Sequence, residues 1–82
     1  MMSFKPYEDS INLALQKGDR EQALQILAQT DKKFELVRST LPKTIAFYVR
    51  AGRAERAQEL SNYCENNYID AREECWKAVK SK

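Results

Sequence analysis

The chain has 82 residues, which allows one domain whose own core buries a limited share of its surface. A hydrophobic fraction of 43% fits a globular fold, while 32% charged residues with only two glycines and two prolines argue against a strand-and-loop protein. The formal net charge is +2 and there is no histidine, which excludes His-based triads and imidazole metal ligands.

Pro6 suits the first turn of a helix, where a missing N–H costs nothing, and Glu8 and Asp9 follow at the positive end of the dipole. Tyr7, Ile11, Ala14 and Leu15 recur at helical spacing, Lys17 falls in the last turn, and Gly18 stops the helix. This predicts a first helix over about 6–17. Asp19 can cap the second helix, with Gln22 three residues on. Ala23, Leu27, Thr30, Phe34, Val37 and Leu41 then form a stripe, predicting a helix from 19 to about 38 with Thr30 as its polar flaw and a bend at Asp31-Lys32-Lys33.

Pro42 opens a third helix over about 42–51, with Ile45, Tyr48 and Val49 inward, and Gly52 ends it. Phe47 either packs between units or lies exposed. A fourth helix begins near Arg53, with the small inner stripe Ala57, Leu60, Ser61 and Cys64. Asn66-Asn67 is weakly helical, and Asp70 with Glu73 reads as another capping box. The spacing predicts a break near 67–69 and a fifth helix over about 70–80; one long helix from 53 to 80 is the rival.

One stretch occurs twice. Ile11, Gly18, Glu21 and Ala23 return 34 residues later as Ile45, Gly52, Glu55 and Ala57, with Leu13/Phe47, Leu15/Val49 and Ile26/Leu60 alike in character. A further 34 residues carry Ile45 to Val79 and Pro42 to Trp76. The fifth helix then stands as the start of an unfinished third unit. The expected architecture is all-α: a single domain over 1–82, repeat-like units at about 6–38 and 42–67, and a capping helix at about 70–80.

A helix, a glycine turn, and a second helix with Ala five residues after the glycine resembles the tetratricopeptide repeat, whose period is about 34. The stretch from Arg50 to Leu60 is equally similar to a pentatricopeptide repeat. The pattern departs at Leu27 and Ser61, where a large aromatic is usual, and its proline is displaced to Pro42. The resemblance implies that the first helix of each unit lines a concave surface. Carried across by position, that surface includes Glu8, Asn12, Leu15 and Gln16, then Ala46, Val49 and Arg50, then Trp76 and Lys80. Some such proteins capture a C-terminal carboxylate; Asn12 fits this role and Glu8 does not.

Charge is unevenly spread. Residues 32–56 hold seven bases and two acids, whereas the segments on either side hold five acids each. Such a band is a solvated face or a nucleic-acid contact through Lys43, Arg50, Arg53 and Arg56. Glu8-Asp9 and Glu73-Glu74 read as helix-start charges, not as a general acid/base pair. The two glycines stand too far apart for a phosphate loop, and two Cys without His complete no zinc site. No cofactor, metal or catalytic residue is expected. Trp76 is either a packing residue of the capping helix or a binding anchor.

Cys64 and Cys75 would lie about 16 Å apart along one unbroken helix, beyond disulfide reach, and a bend between them would allow pairing. The reading adopted is two reduced, buried thiols in a cytosolic-type compartment. No run reaches the roughly 18 apolar residues of a membrane span, and the start has neither secretory nor transit form. The expectation is a cytoplasmic, non-catalytic protein–protein interaction module: an adaptor, partner-specific chaperone or assembly factor that binds another protein or itself. The alternatives are a small RNA- or DNA-binding protein and a helical inhibitor of a larger enzyme.

Overall fold

Pro6 and Pro42 each fall in the first turn of a helix, and each helix runs until a glycine reverses the chain. The computed structural model describes residues 3–34 and 37–81. Its elements are α1 (Lys5–Gln16), α2 (Arg20–Phe34), α3 (Leu41–Arg50), α4 (Ala54–Asn67), a 3-10 turn (Ile69–Ala71) and α5 (Arg72–Val79). Among the described residues there is no strand, so the fold is all-α.

The two glycine turns are the same structure made twice. Gly18 has φ 77° and Gly52 has φ 84°, a backbone conformation in which a side chain is strained. In the first turn Gly18 N–H donates to Leu15 O at 3.1 Å and Asp19 N–H to Ala14 O at 2.9 Å. In the second, Gly52 N–H donates to Val49 O at 3.1 Å and Arg53 N–H to Tyr48 O at 2.8 Å. Each pair forms a Schellman closure of the helix end, at positions 34 residues apart.

Burial follows the same period. Ile11 and Ala23 are 0% exposed in the first hairpin, and Ile45 and Ala57 are 0% exposed in the second. The alanines let each second helix approach its first closely. With Leu27 and Leu41, also fully buried, these residues form the centre of the core. Each large apolar side chain so buried contributes about 2–3 kcal/mol. Helix α3 packs against α2, α4 and α5, and α4 also packs on α5. The result is a slab, with extents of 34 × 30 × 15 Å.

Several expectations need correction. Helix α2 does not run to 38. Residues 35–36 lie outside the described residues, as does the side chain of Phe34, but Val37 is non-helical and 40% exposed. The helix shows no break at Asp31-Lys32-Lys33. Thr30 fits because its hydroxyl donates to Leu27 O at 3.0 Å, so the buried oxygen is satisfied. Asp19 does cap α2, accepting from Gln22 N–H at 3.1 Å. Asp70 is not the side-chain cap of α5: its carboxylate is held by Arg38 instead. Phe47 packs between hairpins, 4% exposed, with its ring 6.5 Å from that of Phe4.

The long-helix rival fails at Tyr68, whose φ of −135° and ψ of 70° end α4. That bend also overturns the expectation of free thiols. Cys64 and Cys75 are joined in a disulfide, their Cα atoms 6.7 Å apart and both side chains fully buried. The thiol-based argument for a cytosolic-type compartment falls with it. No helix among the described residues is long and apolar enough to cross a membrane.

Candidate partner-binding surfaces

The buried stripe of α1, Ile11 and Ala14, turns the neighbouring residues Glu8, Asn12 and Leu15 partly outward. On α3 the buried stripe leaves Ala46, Val49 and Arg50 half-buried in the same way. Polar links join the helices among the described residues. Lys43 Nζ lies 3.3 Å from Glu8 Oε2, and Arg50 Nη1 donates to Asn12 Oδ1 at 3.0 Å. The paired positions rise together along both helices, so α1 and α3 run in parallel. The Arg50 guanidinium also stands 6.0 Å over the Phe47 ring. Asn12 keeps its amide N–H groups, and Arg50 keeps further donors, for anything that lies across this face.

Sequence reasoning placed Asn12, Leu15, Val49 and Arg50 on one surface, and the structure puts them on these two linked helices. Gln16 is exposed at the end of α1. Trp76 and Lys80 stand elsewhere: no hydrogen bond, ion pair or ring contact among the described residues ties them to that group. They line a groove of about 310 Å³ between α4 and α5, with Gln58, Ser61 and Val79. Trp76 is 40% exposed and the Arg72 guanidinium sits 5.5 Å over its ring. Ser61 Oγ lies buried at this groove, the one buried side-chain polar atom without a hydrogen-bond partner among the described residues.

The basic band is largely engaged with other side chains. Lys43 pairs with Glu8, Arg50 with Asn12, and Arg56 Nη1 with Glu59 Oε2 at 3.1 Å. Arg38 makes a two-pronged contact with Asp70, Nη2 to Oδ2 at 2.7 Å and Nε to Oδ1 at 3.2 Å. Its guanidinium holds the Asp70 carboxyl below the ordinary Asp value, first by hydrogen bonding. Arg53 is exposed and shares a depression of about 480 Å³ with Arg56, Glu55 and Glu59, so charges of both signs meet there. The side chain of Lys32 lies outside what is described.

Tyr63 and Tyr68 edge the core as half-buried rings in a T-shaped pair, 6.0 Å apart. Sequence reasoning missed Glu8 as the partner of Lys43, and Gln58 and Ser61 as groove walls. The signal for the second was present, because Ser61 stands one period after the fully buried Leu27. Among the described residues no group of three His, Cys, Asp or Glu could hold a metal ion. Comparison with protein families, with curated proteins and with solved structures finds no match.

Proposed function

We propose that this is a small non-catalytic protein–protein interaction module of tetratricopeptide-like build, acting as an adaptor, a partner-specific chaperone or an assembly factor. The observation that carries the reading is the α1–α3 face. Two parallel helices are tied by Lys43–Glu8 and Arg50–Asn12, and these links hold half-buried polar groups in place before any partner arrives. Side chains already ordered lose less freedom on binding, which favours specific recognition. The resemblance in the glycine turns and the 34-residue period supports the same class. A nucleic-acid role draws less support, because Lys43 and Arg56 already face carboxylates and have less charge left for phosphates.

The test is affinity capture from native extract with and without nuclease, using the intact chain and an Arg50→Glu variant. A protein retained through nuclease treatment and lost with Arg50→Glu is the expected result, with thermal unfolding confirming that the variant is folded. Nucleic acid recovered at physiological salt, with no protein beside it, would sink the interaction-module reading.

A further inference from the structure

The α4–α5 groove is lined by none of the residues that link α1 to α3, and it needs its own account. One period earlier, the place of Ser61 is held by Leu27, fully buried, and the place of Val79 by Ile45, also fully buried. A short Ser61 in place of a leucine leaves a depression. Val79 is only partly buried beside it, and Trp76, on the rim, is 40% exposed. The indole N–H of Trp76 makes no hydrogen bond among the described residues. The groove has room for a large ring, and the ring beside it is that large.

We propose that this groove is a self-association site, and that its occupant is Trp76 of a second copy of this chain. The charges on α5 support that occupant. Glu73 and Lys80 are both exposed and seven residues apart, two turns along one side of the helix. Their midpoint falls between Trp76 and Lys77. When two copies of α5 cross antiparallel about that point, a two-fold axis sets Glu73 of each against Lys80 of the other. Such an isologous pairing is closed and self-complementary, with no free end to grow from. On the other edge, the Arg72 guanidinium already covers its own Trp76, and its stem faces Val79 of the second copy.

The contact is small. One tenth of the 5411 Å² surface gives about 540 Å² per copy, at the lower limit of specific interfaces. Association is therefore weak and reversible. The proposal does not rest on the adaptor reading.

The experiment is sedimentation equilibrium of the oxidised, full chain over a concentration series, with Trp76 emission followed on dilution. A monomer–dimer equilibrium with emission shifting red on dilution is expected. Trp76→Ala weakens dimerisation by about tenfold or more. Lys80→Glu alone weakens it by at least about threefold, and Glu73→Lys with Lys80→Glu restores it. That rescue separates a contact across the axis from a mere loss of folding. A chain that stays monomeric at about 500 μM overturns the proposal. So do a dimer that these changes leave untouched, and head-to-tail growth beyond two copies.

Discussion

The two hairpins share a turn and a seam but differ in what covers them. Phe47 of the second is 4% exposed; Leu13, one period earlier, is 52% exposed. Thr44 and Ala51 are buried where the first hairpin has exposed Ser10 and Lys17. The first hairpin thus presents a mostly polar outer side to water, with Leu13 as the exception. The second has neighbours on both sides, α2 before it and α5 after it. The glycine turn and the Ile/Ala seam therefore specify a hairpin, while substitutions around that seam specify its place in the stack. The same logic explains the inner positions. Leu27 and Thr30 become Ser61 and Cys64, and the second hairpin replaces apolar bulk with a covalent bond to α5.

The largest effect that can break this comparison is at the paired positions Leu27 and Ser61. Leu27→Ala should destabilise the fold by about 2–5 kcal/mol, through lost transfer energy and the cavity left behind. Ser61→Ala should change stability little or raise it slightly, because it removes a buried hydroxyl with no partner. Urea unfolding of both variants checks this, and equal losses would mean that the two hairpins bury their second helices alike.

Next in size is the disulfide. Converting Cys64 and Cys75 together to Ala should cost about 2–3 kcal/mol for so short a loop. Amide exchange should rise first in α5 and the end of α4, while the α1–α2 hairpin keeps its protection. Uniform loss of protection would show that the second hairpin does not depend on its cross-link in any special way.

How much of this was legible depends on spacing. The glycine turns, the proline starts and the break near Tyr68 could be read locally, because each rests on a few adjacent residues. The end of α2 was overrun because Val37 and Leu41 keep a helical rhythm that the backbone abandons. The disulfide was missed for a related reason. An eleven-residue separation is too long on a straight helix, and only the bend brings the two Cα atoms to 6.7 Å. Asn12 and Arg50 were expected on one surface, and both are half-buried. Their hydrogen bond spans 38 residues, and nothing local announces it.

The smallest expected effect is at the Arg38–Asp70 clamp, which holds the segment before α3 to the turn before α5. The Asp70 carboxyl is held below its ordinary value, so its contribution is present above that value, near pH 4, and is lost as pH falls further. Both groups are exposed, so the slope is shallow. Comparing acid unfolding of the parent chain with Asp70→Asn should show this segment of the pH profile flattened in the variant. An unchanged profile would mean that the clamp is decorative.

The bend at Tyr68–Asp70 has one more consequence. Ile69 is 66% exposed there, in a surface turn that lies between the two cysteines. A cut at that place would break the polypeptide without dividing the molecule. The severed end carrying α5 would stay tethered to α4 through sulfur, and only a reductant would set it adrift.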